Sequence, residues 1–360
     1  MTLTQDIRYL GVNDRDIDLF EGQYAVPNGI SYNSYVILDE KVAVLDTVDH
    51  RKSAEFLANL ERELAGRKVD YLVLNHLEPD HASSVGVFLE KHPEAQLVGN
   101  AKTFQMLPPF FDVDLSNVLK VKEGDVLSLG RHELHFVMAP MVHWPEVMMT
   151  YDSTDKVLFS ADGFGKFGAL DADEPWEDEA RRYYFNIVGK FGANVRSVLK
   201  KAEGLDIAMI CPLHGPALTD TIPEVIALYD LWSSYAPETD GVLVAYASLH
   251  GNTAAAANLL ADKLEQAGME VQRLDLARCD ASLALSEAFR YSKVVLASAS
   301  YNGGAVPCME DFLHHLKAKN YQKRTVGLME NGSWAPFAVK GMTDILATMK
   351  DITILPETVT

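Results

Sequence analysis

Four metal-ligating side chains crowd into six positions in the stretch Asn75-His76-Leu77-Glu78-Pro79-Asp80-His81, directly behind the apolar run Tyr71-Leu72-Val73-Leu74. Such a run reads as a buried strand, so the ligands sit on the loop where the strand ends. Side chains alternate along an extended segment. His76, Glu78 and Asp80 are therefore expected to point one way, with His81 coming round as a helix begins near Ala82-Ser83-Ser84-Val85. Two imidazoles and two carboxylates exceed what one catalytic metal needs, which points to a two-metal site. The competing account, a polar loop of solvated charges, suits a lone His-x-Glu better than His-x-Glu-x-Asp-His behind a buried strand.

A chain of 360 residues implies two domains. Its 48% hydrophobic content supplies ordinary cores. No window of about 18 apolar residues stands out, so no transmembrane helix is expected. The start, Met1-Thr2-Leu3-Thr4-Gln5-Asp6, lacks the basic and apolar regions of a signal peptide, which makes a cytoplasmic location the default. A formal charge of -19 argues against nucleic acid as a partner. Cys211, Cys279 and Cys308 lie far apart with no CxxC. They cannot build a disulfide framework, a zinc ribbon or a rubredoxin-type iron site.

Residues 1–238 alternate short apolar runs with turn signals. Ser34–Leu38 and Lys41–Thr47 predict a hairpin through Asp39-Glu40. Phe56, Leu57, Leu60 and Leu64 have helical spacing within 54–64. Further strands are expected at 97–98, 126–127, 133–137, 147–151 and 157–160, and a short helix at 102–107. Two sheets with helices outside, an αββα sandwich, accommodate this order. Three more candidate ligands, His143, Asp162 and His214, share the context of apolar strand, ligand, turn. Each alone fits a structural role; with the first loop they make four histidines and three carboxylates.

The order His-x-Glu-x-Asp-His, then His143, Asp162 and His214-Gly215-Pro216, resembles the metallo-β-lactamase fold. Zinc hydrolases of that fold usually carry His-x-His-x-Asp-His, and Glu78 replaces the second His. Added carboxylate favours a harder, redox-active iron over zinc. The pattern is similar to that of the flavodiiron proteins, the A-type flavoproteins of rubredoxin:oxygen oxidoreductase and nitric oxide reductase type. The resemblance implies that His76, Glu78 and His143 bind one iron, that Asp80, His81 and His214 bind the other, and that Asp162 bridges them. Trp144-Pro145 also matches. Two departures stand out. Many members have Phe-His-Gly where this chain has Phe20-Glu21-Gly22, so Glu21 either alters proton supply or substrate preference or points to solvent. The segment between Asp162 and His214 is also short, as a trimmed loop at 168–178 around Asp171-Ala172-Asp173-Glu174-Pro175 would explain.

Residues 239–360 follow a polar break at 236–240 and change to a β-α-β pattern. Continuous apolar strands at 242–246, 271–274, 293–297, 325–329 and 352–355 alternate with helices, predicting a doubly wound parallel sheet. Ser248, Leu249, His250, Gly251, Asn252 and Thr253 form a loop before a helix whose N-terminus suits a phosphate. Without a P-loop lysine it suits a monophosphate. A second loop, Ser298–Gly304, includes Ser300, Tyr301, Asn302, Gly303 and Gly304, and a third carries Asn331, Gly332, Ser333 and Trp334. A phosphate cradle with two aromatic-bearing loops fits a planar flavin. This half resembles flavodoxin, which implies FMN. His250 stands where short-chain flavodoxins often carry Thr. A flavodoxin normally adds one more helix after the last strand, so an exposed apolar face is expected there.

The flavodiiron resemblance spans essentially the whole chain. It implies an oxidoreductase reducing O2 to water, NO to nitrous oxide, or both, with a diiron centre and FMN. It also implies an external donor such as rubredoxin or F420H2, and a head-to-tail homodimer or a dimer of such dimers. O2 and NO use the same metals, so the ligands do not choose between them. The alternatives are a zinc hydrolase fused to a flavodoxin, an electron carrier with a structural front domain, and a sensor of diatomic gas.

Overall fold

The structure, a computed structural model, describes residues 2–360. The chain divides into two compact units. One takes the leading stretch to Phe20, Val26–Tyr183 and Ala193–Asp230; the other takes Glu21–Ala25, Tyr184–Gly192 and Leu231–Thr360.

In the first unit a six-stranded sheet runs in the order Ile7–Tyr9, Tyr35–Leu38, Val42–Leu45, Tyr71–Val73, Gln96–Asn100, Val118–Val121. A five-stranded sheet runs Val126–Ser128, Glu133–Met138, Met148–Asp152, Val157–Phe159, Met209–Cys211. Tyr35, Ile37, Ala43, Leu45 and Val73 of the first share one buried cluster with Leu134, Phe136, Met148 and Phe159 of the second. Val36, Val44, Leu72 and Leu97, one position out of step, are buried outside that cluster. Side chains alternate along a strand, so the first sheet is covered on both faces, as the predicted sandwich requires.

Two parallel neighbours position the ligand loop. Val42–Leu45 pairs in parallel with Tyr71–Val73, so Asp46-Thr47 and Asn75–His81 leave the sheet side by side. In the second sheet Val157–Phe159 pairs in parallel with Met209–Cys211, which brings the segments bearing Asp162 and His214 together. The short helix predicted at 102–107 extends over Ala101–Phe110, started by a capping box between Asn100 and Thr103.

The second unit carries parallel strands in the order Val271–Asp275, Thr239–Ala247, Tyr291–Tyr301, Gln322–Asn331, Lys350–Val359. This is the doubly wound order with its switch point between the first two strands in sequence and the third. Ser298–Gly304, expected as a loop, is instead a continuation of the strand to Tyr301 and a hairpin back through Gly304–Ala305. Asn302 (φ 50°) and Gly303 (φ 82°) give the two successive positive φ angles of a tight turn, which Asn-Gly adopts readily. The last strand is also longer than the predicted 352–355. An apolar groove of about 330 Å3, lined by Leu260, Leu264, Val295, Leu328 and Leu355 among others, lies where an uncovered face was expected. No helix among the described residues is long and apolar enough to cross a membrane.

Candidate active site

The seven sequence-predicted ligands converge in two groups. His76, Glu78, His143 and Asp162 form one; Asp80, His81 and His214 form the other, each with ligand atoms within 4.8 Å of one another. His143 Nε2 lies 3.0 Å from Glu78 Oε2 and 3.0 Å from Asp162 Oδ2, and His76 Nε2 lies 3.3 Å from the same Asp162 oxygen. Asp162 Oδ1 faces the other way, 3.3 Å from His81 Nε2. Asp80 Oδ2 is 3.2 Å from both His81 Nε2 and His214 Nε2, which are 3.1 Å apart. One carboxylate thus touches both groups.

Strict alternation along the ligand loop fails at Pro79. Asp80 and His81 belong to one helical turn, Pro79–Ala82, with proline at its start. Its fixed φ suits the first position of a helix. The turn swings Asp80 away from His76 and Glu78 and into the second group.

A dipeptide just past the end of the neighbouring strand, Asp46-Thr47, grips both ends of this loop. Asp46 accepts from Asn75 N (2.7 Å), Asn75 Nδ2 (2.8 Å) and His76 N (3.2 Å). Thr47 donates to His81 O through its amide (2.9 Å) and its hydroxyl (2.6 Å). Burial pushes the Asp46 carboxyl up to about 6, with the Asn75 and His76 donors working against that rise.

The donor atoms themselves are left wanting. His76 Nε2, both Asp80 oxygens and both Asp162 oxygens are buried with no hydrogen-bonding partner among the described residues. A buried polar atom without a hydrogen-bonding partner is costly, so a set of them gathered in two adjoining groups fits positions for bound cations. Electrostatics agree. Burial would lower the His143 imidazole, yet Asp162 and Glu78 beside it raise it to about 9. Burial would raise the Asp162 carboxyl, yet His76, His143 and His81 hold it well below the usual carboxylate range. The cluster attracts positive charge from protons where a cation would supply it. Donors about 2.0–2.2 Å from a shared cation would be spaced much as these are.

The structure also shows what the sequence did not. Glu146 Oε1 lies 2.8 Å from His76 Nδ1 and accepts from Leu77 N at 3.0 Å. Only its place three residues after His143 hinted at a role. Tyr183 is fully buried against the His214 ring, centroids 5.4 Å apart, and its hydroxyl has no hydrogen-bonding partner among the described residues. Burial, with the charges of Asp162, Asp80 and Glu78, raises that phenol well above its ordinary value and keeps it a proton donor. Glu21 is exposed, with φ 50°, and accepts from Gln23 Nε2 at 3.1 Å. Of the two roles considered for it, the structure places it at the surface. Its neighbour Phe20 packs edge-on against His214 instead, at 5.3 Å. In the 168–178 stretch Glu174 pairs with Lys166 at 2.7 Å and Asn28 at 2.7 Å.

A third His/Asp group, His132, Asp152 and Asp155, differs in kind. His132 Nδ1 meets Asp152 at 2.9 Å, and Arg131 meets Asp155 at 2.8 Å. Charge there is already balanced by protein, so this is a salt-bridge network.

In the second unit the three predicted loop regions stand at the carboxyl ends of adjacent strands. Ser248–Gly251 precedes the helix Asn252–Gln266, and Gly251 (φ 91°) donates from its amide to Ser248 Oγ at 3.1 Å. Asn331 Nδ2 donates to Thr253 Oγ1 at 3.0 Å, tying the third loop to the first. Ser300 Oγ accepts from Phe337 N at 2.8 Å. Leu249, His250, Tyr301 and Asn302 are exposed, as is Trp334 at 91%. Gly303, Gly332 and Ser333 are exposed turn residues, while Gly304 is half-buried in the hairpin.

Residues 30–215 match the ODP family beta lactamase and residues 244–341 match flavodoxin. The chain is 31% identical over 350 residues to the anaerobic nitric oxide reductase flavorubredoxin of Aliivibrio salmonicida, covering 94% of this chain and 70% of that protein. Its counterpart in Salmonella arizonae is 30% identical over 348 residues, 93% and 72%. The flavodiiron protein of Giardia intestinalis superposes with a TM-score of 0.91 at 27% identity, covering 98% of this chain and 92% of the other. Rubredoxin oxygen:oxidoreductase from Desulfovibrio gigas gives 0.92 at 27%, covering 100% and 92%. Because the likeness runs through both halves in the same order, the chain belongs to the flavodiiron protein family and is an oxidoreductase.

Proposed function

We propose that the chain reduces O2, NO or both in the cytoplasm, at two irons held in the first unit, with electrons from an external donor such as rubredoxin or F420H2 entering through FMN. One observation carries this: seven donor side chains converge, all but the half-buried Glu78 buried, and five of their atoms have no hydrogen-bonding partner among the described residues. His76, Glu78 and His143 would hold one iron, Asp80, His81 and His214 the other, with Asp162 between. Each position then has two imidazoles and its own carboxylate, a donor set that suits iron better than the imidazole-rich sets of zinc hydrolases. When bound, the two irons supply the redox change and Lewis acidity for reducing a diatomic molecule.

The protein's own part is to fix and to protonate. Asp46 and Thr47 set the loop, and the Tyr183 hydroxyl holds a proton beside His214. Ser248, Gly251 and the following helix N-terminus would take the FMN phosphate, with Tyr301 and Trp334 flanking the ring. We assign residues 1–238 to the metal-holding part and 239–360 to the flavin-holding part. The two cofactors then belong to different domains, and a head-to-tail homodimer is the assembly that fits, one copy's flavin meeting the other's metals.

The test is anaerobic stopped-flow of the reduced protein against O2 and NO separately, after iron and flavin have been quantified. Two irons and one FMN per chain with sustained consumption of either gas support the assignment. Zinc with hydrolytic activity and no gas consumption overturns it, and so does binding without turnover. A fully active monomer on gel filtration overturns the dimer.

A further inference from the structure

The two proposed metal positions have matching donors. Each has two imidazoles, one carboxylate of its own and one oxygen of Asp162 within reach: Oδ2 toward His76 and His143, Oδ1 toward His81. Behind the ligands the structure is unequal. His76 Nδ1 is backed by the carboxylate of Glu146 at 2.8 Å. His214 Nδ1 is backed by a neutral group, the carbonyl of Ser31, at 2.7 Å. His81 Nδ1 is buried without a partner among the described residues.

Glu146 is built for this position. It is 1% exposed, so water does not screen its charge. The same oxygen that meets His76 also accepts from Leu77 N, and its own carbonyl accepts from Asn100 Nδ2 at 2.6 Å. Backbone and side chain are thereby both fixed. With Nδ1–H donated to Glu146, the His76 lone pair is left on Nε2, facing Asp162 and Glu78. A carboxylate behind an imidazole makes that imidazole the stronger electron donor. A neutral carbonyl does less.

We infer that Glu146 is a positioning residue that makes the two metal sites unequal: the metal at His76, Glu78 and His143 is the one stabilised in the higher oxidation state. With iron held at both positions, an oxidising mediator would take its first electron from the one at His76, Glu78 and His143. This inference rests on the diiron assignment.

The experiment uses the full chain loaded anaerobically with 57Fe, unaltered and as Glu146→Gln and Glu146→Asp. Iron per chain, Mössbauer spectra, and the mixed-valent population in a mediated redox titration are measured. Glu146→Gln keeps the shape and removes the charge. It is expected to lower the comproportionation constant of the mixed-valent state about tenfold, to weaken iron retention by about 10–100-fold at one position, and to change one of the two iron subspectra. Glu146→Asp is expected to fall between. Should the Gln variant not accumulate as folded protein, Asp decides, since it draws the carboxylate back by one methylene and a threefold or larger loss is expected. Two irons per chain in every variant, with the unaltered mixed-valent population and subspectra, overturn the role of Glu146 while leaving the diiron assignment intact. Fewer than two irons in the unaltered chain overturn both.

Discussion

The proposed metal cluster and the proposed flavin loops are built on opposite plans. At the cluster, His76, His81, His214 and Asp162 are at most 1% exposed, and the backbone of the ligand loop is held by Asp46 and Thr47. In the flavin loops, Trp334 is 91% exposed and the fixed contacts are few. Imidazoles and carboxylates crowded together out of water need a rigid scaffold to keep their places. A planar ligand with a phosphate needs only one fixed anchor and aromatic walls that can close on it. The difference teaches which substitutions propagate and which stay local.

Asp162→Ala is the most severe way to press that difference. It removes the one group touching both metal positions, so iron should fall below about half an equivalent per chain and gas consumption by about a thousandfold or more. FMN content should not change. Parallel metal and flavin assays check this, and loss of flavin together with iron would break the contrast between the two regions.

Tyr183→Phe should leave iron and flavin in place and reduce turnover by about 10²-fold, the usual scale for removing a proton donor. Steady-state consumption of O2 and NO measures it, and unchanged rates for both gases would remove Tyr183 from the chemistry. Trp334→Ala touches the other region. It should weaken FMN binding by roughly 3–10-fold, the scale of one aromatic contact, without altering iron. Titration of the flavin-free protein with FMN, followed by fluorescence, decides that.

The smallest effect belongs to the third His/Asp group, which sharpens the contrast by resembling a metal site without its open donors. Burial lowers the His132 imidazole, but Asp152 and Asp6 outweigh it and raise the net value. A raised folded-state value means His132 contributes its full stability below about 6.5 and loses it as pH rises through the higher folded value. His132→Gln should therefore cost about 1 kcal/mol near pH 6 and progressively less in alkali. Melting temperatures of the two proteins from pH 6 to pH 9.5 test the sign. Metal analysis of the unaltered chain should find two ions, not three.

Much of this architecture was legible because strand-end ligands announce themselves. His76, His143, Asp162 and His214 each follow an apolar run, and residues at the ends of neighbouring strands are brought together by the sheet. The second half was legible from continuous apolar strands alternating with helices. What escaped the sequence was local geometry and anything whose role depends on a distant partner. Pro79 opened a helical turn inside a stretch that alternation treats as extended, and so reassigned Asp80. Asn302-Gly303 made a hairpin where the spacing suggested an open loop. Glu146 and Tyr183 carry no motif; their meaning comes from His76 and His214, some 70 and 31 positions away in the chain. Glu21 occupies a position that the resemblance made conspicuous, and only the fold shows it facing solvent.

Asp46 and Thr47 are adjacent, yet one holds the beginning of the ligand loop and the other its end. Slackening that single joint would disturb both halves of the cage at once. Heating or mild denaturant should therefore release the ions as a pair in one step, and a chain carrying a lone ion should be scarce at every stage of its unfolding.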